Sequence, residues 1–79
     1  MARVPIYMPK FGMTMTEGTI AEWMRGVGDV VSQGDILLSV ETEKVVTEIE
    51  APASGTLVER LFEAGDEVPV GDIMAFIEE

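Results

Sequence analysis

Few side chains in this chain could do chemistry. The 79 residues include no cysteine and no histidine, which removes disulfides, thiolate metal sites, a thiol nucleophile and the usual general base near neutral pH. Ser32, Ser39 and Ser54 therefore have no imidazole to activate them, and the scattered carboxylates lack the spacing of a metal-binding loop. Lysine occurs only as Lys10 and Lys44. A lone lysine on a polar turn is ordinarily a solvated charge; an amine held out on a stiff corner is instead open to covalent modification. Which of the two applies depends on the elements that position it.

Those elements follow from an internal repeat. Gly18 to Glu41 lies over Gly55 to Glu78 without a gap, as GTIAEWMRGVGDVVSQGDILLSVE over GTLVERLFEAGDEVPVGDIMAFIE. Gly18, Thr19, Glu22, Gly28, Asp29, Val31, Gly34, Asp35, Ile36 and Glu41 recur as Gly55, Thr56, Glu59, Gly65, Asp66, Val68, Gly71, Asp72, Ile73 and Glu78. Each Gly-Asp pair reads as a turn, because glycine accepts positive φ and aspartate bonds nearby amides. Between the turns lie short apolar or alternating runs, which argue for strands. Eight are expected: Val4 to Tyr7, Gly18 to Arg25, around Val30, Ile36 to Glu41, Val45 to Glu50, Gly55 to Phe62, around Val68, and Ile73 to Glu78. No segment reads as a helix.

Neither half could bury its apolar face alone. The expected fold is all-β, a flattened barrel or sandwich of two four-stranded antiparallel sheets related by a pseudo-two-fold axis. Under that symmetry the segment ETEKVV, joining the halves, turns at one end while the two termini meet near the opposite end. Lys44 then falls at the tip, with Glu43 and Lys44 as the central residues of a turn that has no glycine and so favours type I. Val40, Val45, Val46 and Ile49 are candidate buried supports. Glu41, Glu43, Glu48 and Glu50 are expected to face solvent. Trp23, with Arg60 at the equivalent place, is expected to pack, and Pro52 and Pro69 mark loops or edge strands. The connection from Met8 to Gly18 is longer than its counterpart from Glu48 to Gly55, and the extra residues fall in Phe11-Gly12-Met13-Thr14.

Length and composition set bounds on this reading. The chain fits a single domain, residues 1–79, and one so small buries only about 60% of its unfolded surface. Fifteen acidic residues against five basic ones give a formal charge of −10. That charge repels phosphate backbones and anionic membranes, serves solubility, and steers the chain toward basic protein surfaces. No apolar run approaches the roughly 20 residues of a membrane span, and MARVPIYMPK lacks the apolar stretch of a secretory signal. The expectation is a soluble, intracellular monomer that binds neither nucleic acid nor membrane.

Three stretches, MPKFGMTMTEGTIAEW, GDVVSQGDILLSVETEKV and GTLVERLFEAGDEVPVGDIMAFI, resemble the lipoyl and biotinyl carrier domains over essentially the whole chain. In that family the lysine of a turn usually reading Asp-Lys-Ala receives lipoic acid, whereas a lysine between two methionines receives biotin. Lys44 aligns with the modified lysine, and its neighbours are Glu43 and Val45, so the resemblance implies the lipoyl branch with glutamate where the family most often has aspartate. The MPKFGMTMTEG opening is similar to the acyltransferase components of 2-oxo acid and acetoin dehydrogenase complexes.

The resemblance then implies a non-catalytic carrier in which a lipoate ligase or lipoyl transferase joins lipoic acid to Lys44 as an amide. The swinging arm so formed would serve a thiamine-diphosphate-dependent decarboxylase, the acyltransferase catalytic core and dihydrolipoamide dehydrogenase, in a bacterial cytoplasm or a mitochondrial matrix. It further implies that Glu43 and Val45 beside the lysine, and Lys10, Phe11, Met13 and Thr14 in the first loop, take part in recognition. The alternative for Phe11, Met13 and Met15 is that they cap the core, which is preferred for Met15. Two other readings stay open: a biotinyl domain serving a carboxylase, and an unmodified all-β interaction module.

Overall fold

Strands form wherever apolar residues alternate or cluster between the Gly-Asp pairs. The computed structural model describes residues 2–42 and 45–79. Its elements are β1 (Arg3–Tyr7), β2 (Glu17–Trp23), β3 (Val30–Val31), β4 (Ile36–Glu41), β5 (Val46–Glu50), β6 (Gly55–Arg60), β7 (Glu67–Pro69) and β8 (Ile73–Glu78). Each expected strand is present, and no helix occurs among the described residues. Two strands end earlier than expected, β2 at Trp23 and β6 at Arg60. Past both points one further bond is made within the same sheet, Met24 N–H to the Leu37 carbonyl at 2.7 Å and Leu61 N–H to the Met74 carbonyl at 2.8 Å, before the chain crosses to the other sheet.

The strands form two antiparallel sheets of four, in the orders β1-β8-β6-β3 and β5-β4-β2-β7. Exchanging β1 with β5, β2 with β6, β3 with β7 and β4 with β8 converts one order into the other, so the sequence repeat is a two-fold relation between sheets. Hydrogen bonds obey it. Gly28 N–H donates to the Leu57 carbonyl and Gly65 N–H to the Ile20 carbonyl, each at 2.7 Å. Both glycines need φ near +98° and +95° to do so, a region that side chains disfavour. The neighbouring carboxylates close the same turns, with Asp29 Oδ2 accepting from Gly26 N–H at 2.7 Å and Asp66 Oδ2 from Glu63 N–H at 2.8 Å. One departure has a covalent cause: Asp35 accepts from Ser32 N–H at 2.9 Å, but Pro69 stands in the place of Ser32 and has no N–H to offer Asp72.

Between the sheets Ile20, Leu37, Leu38, Val40, Leu57, Met74 and Ile77 are fully buried. Burying each such side chain stabilises the fold by about 1.5–3 kcal/mol relative to exposure. Trp23 packs against this core as expected, with its indole N–H donating to the Phe62 carbonyl at 3.1 Å and the Arg60 guanidinium 5.2 Å from its ring. This contact joins the C-terminal ends of β2 and β6, so the starts of those strands point apart. The β4–β5 hairpin flanks the start of β2, through Thr19 opposite Glu41, and the termini flank the start of β6, through Thr56 opposite Glu78. Hairpin and termini thus occupy opposite ends of a molecule 36 Å long, and Glu79 N–H meets the Ala2 carbonyl at 2.9 Å.

Candidate functional site

The β4–β5 hairpin is built from a ladder that runs to its last described residues. Val40 pairs with Thr47 and Glu41 with Val46. Beyond them Thr42 N–H donates to the Val45 carbonyl at 2.8 Å, and the Thr42 hydroxyl reaches the same oxygen at 3.3 Å. The two-fold relates this closure to the bond between Glu79 and Ala2, so the hairpin occupies the place that the termini hold at the far end. Glu43 and Lys44, expected at the centre of the turn, lie outside the described residues, and so does the expectation of a type I turn.

The supports of the hairpin differ in part from expectation. Val40 is fully buried and Ile49 packs on the core, but Val45 and Val46 are 51% and 61% exposed. For Val46 the reason is strand parity; Val45 has the inward parity of Thr47 and Ile49 but lies before β5 begins, at the closing bond from Thr42. β5 is the edge of its sheet, with Thr47 and Ile49 half-buried and Val46, Glu48 and Glu50 exposed. A valine next to the turn is therefore not a buried valine. Glu41, Glu48 and Glu50 face solvent as expected.

The long β1–β2 connection approaches the same end. It is organised by Met15, whose N–H donates to the Gly12 carbonyl at 3.1 Å and whose sulfur accepts from Phe11 N–H at 3.2 Å. Phe11 and Thr14 on this side, and Thr42, Val45 and Val46 on the hairpin, line one open groove. Lys10 and Met13 line a second depression with Phe11 and Gly12. Of the loop residues expected in recognition, all are solvent-exposed: Phe11 at 39%, Met13 at 93%, and Lys10 and Thr14 with them. The structure therefore brings Phe11, Thr14 and Val45 to one surface and sets Lys10 and Met13 beside it.

Three carboxylates that sequence reading did not place in the site also border the groove: Glu17, Glu41 and Glu67. Thr19 lies opposite Glu67 and Glu17 opposite Pro69, which makes Glu17 and Glu67 diagonal neighbours across β2 and β7. The Glu17 carboxyl is pushed above its usual range, first by a hydrogen bond with Glu67 that favours the protonated form, then by the Glu67 charge, and last by slight desolvation. No sequence signal pointed to this pair, because β7 has only three residues and its register comes from tertiary packing. Thr42 was also missed; its signal is a hydroxyl residue at the last position before a tight turn.

Two four-stranded sheets related by a two-fold, with the β4–β5 hairpin at one end and the termini at the other, make up the fold. A family model described as biotin-requiring enzyme matches residues 4–77, and the chain belongs to this family of biotinyl and lipoyl attachment domains. It is 46% identical over 96% of its length to the dihydrolipoyllysine-residue acetyltransferase component of the pyruvate dehydrogenase complex of Corynebacterium glutamicum, covering 11% of that protein. It is 42% identical over 94% of its length to the corresponding component of the acetoin cleaving system of Bacillus subtilis, covering 19%. The chain thus spans about a tenth to a fifth of the length of these relatives. Among solved structures, the lipoyl domain of the 2-oxoglutarate dehydrogenase complex of Azotobacter vinelandii superposes with a TM-score of 0.81 at 32% identity, covering 96% of both chains. The urea carboxylase of Kluyveromyces lactis superposes with a TM-score of 0.82 at 27% identity over 98% of this chain and 6% of that one.

Proposed function

We propose that this chain is a lipoyl carrier domain whose Lys44, joined in amide linkage to lipoic acid, is the root of a swinging arm. It would serve a thiamine-diphosphate-dependent decarboxylase, an acyltransferase catalytic core and dihydrolipoamide dehydrogenase in a 2-oxo acid or acetoin dehydrogenase complex. The observation that carries this reading is the closure of the β4–β5 hairpin by Thr42 and Val45 at 2.8 Å. Only Glu43 and Lys44 lie between those two residues in the chain. The surroundings suit such an attachment: Val45, Val46 and Glu41 are exposed, and the hairpin beneath them stands on buried Val40.

The attached group supplies the acyl-carrying and redox chemistry of its dithiolane. The protein's own residues deliver and present it. Two donors from Thr42 on one carbonyl hold the hairpin stiff, and covalent tethering raises the local concentration of the group at each partner. The exposed carboxylates Glu41, Glu48 and Glu50 favour approach to basic partner surfaces.

A biotinyl role is the second reading, favoured by the likeness to the urea carboxylase; the residues beside Lys44 are glutamate and valine rather than the methionines of that branch. Incubation with a lipoate ligase and lipoate, and separately with a biotin ligase and biotin, followed by intact-mass and peptide analysis, separates them. The expected result is a lipoyl adduct on Lys44 that is lost in Lys44→Arg. A gain with biotin ligase alone, an adduct on Lys10, or no gain with either ligase would overturn the assignment.

A further inference from the structure

The two-fold relation repeats the strands, the turns and even the closing hydrogen bonds at both ends, so whatever it fails to repeat was added to one end only. The clearest such addition is Met15. A side chain at Gly18 would meet Val40 Cγ1 at 2.8 Å, Met8 Sδ at 3.1 Å and Met15 Cε at 3.2 Å. At the symmetric Gly55 the nearest neighbours are the Glu78 carbonyl and, at 2.9 Å, Ile77 Cγ2. Gly18 is thus a seat from which the side chain is missing, and three side chains rest on it: Val40, two residues before the closure of the β4–β5 hairpin, the buried Met8, and the methyl group of Met15.

The other end of the Met15 thioether accepts the Phe11 N–H at 3.2 Å. Of the apolar side chains in this loop, Met15 packs on the core, whereas Phe11 and Met13 are exposed. Among the described residues, 9–15 make no hydrogen bond to a strand. Both ends of the connection are fixed to the body of the domain, Met8 N–H donating to the Asp72 carbonyl at 2.9 Å and Val70 N–H to the Thr16 carbonyl at 3.0 Å; between those anchors, Met15 is the unbranched, polarisable side chain that both packs on the core and touches the footing of the hairpin.

We propose that Met15 is a positioning residue, whose thioether holds the Phe11–Thr14 segment at a fixed place beside the β4–β5 hairpin and thereby sets how tightly a partner decarboxylase recognises the domain. This rests on the carrier reading above. Met15 acts through the exposed Phe11 and Thr14 rather than by its own contact with the partner.

The test uses the lipoylated domain, its Met15→Leu variant, which keeps the apolar volume but has no acceptor for the Phe11 N–H, and Met15→Ala, which loses both. Each is assayed for the rate of lipoylation, for hydrogen exchange at the Phe11 amide, and for KM and kcat as the substrate of whichever pyruvate, 2-oxoglutarate or acetoin decarboxylase accepts the parent domain. For Met15→Leu, lipoylation and kcat stay at parent values, while Phe11 exchange and KM each rise about three- to ten-fold, the size of effect expected for one lost weak hydrogen bond. Met15→Ala raises KM further. An unchanged KM in Met15→Leu overturns the proposal whatever the exchange rate, and so does a KM change accompanied by an equal loss in lipoylation and in melting temperature, which would mark Met15 as core packing alone. A parent domain that no ligase lipoylates, or no decarboxylase accepts, overturns the carrier reading instead.

Discussion

Glu17 and Glu67 sit together on the face of β2 and β7 near the hairpin, and their proximity works against the fold at neutral pH. The pKa of Glu17 is raised in the folded state, so the stability it contributes is complete below its ordinary value near 4.5 and is lost as pH rises through the raised value. Glu67→Gln removes the cause. The variant should melt above the parent at pH 7, with the difference shrinking in high salt and vanishing below about pH 4.5, where Glu17 is protonated in both states. Thermal melts across that pH range check it; a parent that equals the variant at every pH would remove the repulsion from the account. Single residues are also where reading the sequence was least complete. Val45 and Val46 looked like supports because they are β-branched and beside the lysine, but Val46 is turned outward by its pairing with Glu41 on an edge strand and Val45 lies before that strand begins. Met15 was legible as packing, and its role as an acceptor for Phe11 was not, since a thioether bond across four residues leaves no pattern in composition or spacing.

At the scale of elements far more was legible, because each turn is specified twice. Gly28 and Gly65 hold positive φ with no atom within 4 Å of where a side chain would begin. Their glycine is required by backbone conformation alone. Gly28→Ala and Gly65→Ala should therefore each cost about 1–2 kcal/mol in urea unfolding, and nearly the same at both sites, since the bonds they protect are both 2.7 Å long. Unequal costs would show that the two halves do not share the strain of their turns evenly. The paired Gly-Asp signals allowed all eight strands to be read from residues alone, and the internal repeat made their arrangement in two sheets legible. The ends of β2 and β6 were less so: the strand-like pattern runs on through Met24–Arg25 and Leu61–Phe62, and it is the crossing to the other sheet, visible only in three dimensions, that ends the ladder after one further bond from Met24 and from Leu61.

For the whole molecule the two-fold has a consequence that separates the hairpin from its surroundings. Thr42 and Val45 at one end, and Glu79 and Ala2 at the other, make the same backbone contact at 2.8 and 2.9 Å. The termini therefore stand where a two-residue turn would fit. A circular permutant can exploit this: Lys44 is deleted and the chain opened between Glu43 and Val45, Met1 is removed, and Glu79 is joined to Ala2 through Glu-Lys. The strands and core are unchanged, so the permutant should fold with the circular dichroism of the parent and a single cooperative transition. Its new lysine leaves a closed hairpin with exposed flanks and should be modified by a lipoate ligase. What it lacks is the first loop, because the connection that lies beside it is the short one, residues 51–54, and not residues 8–16. The lipoylated permutant should consequently be a poor substrate for a decarboxylase that accepts the parent, with the loss in KM. If it served equally well, recognition would reside in the hairpin alone, and the asymmetry between the ends would need another cause. If it failed to fold, the termini would not stand in the place of a turn, and the two-fold would hold for the strands but not for their closure.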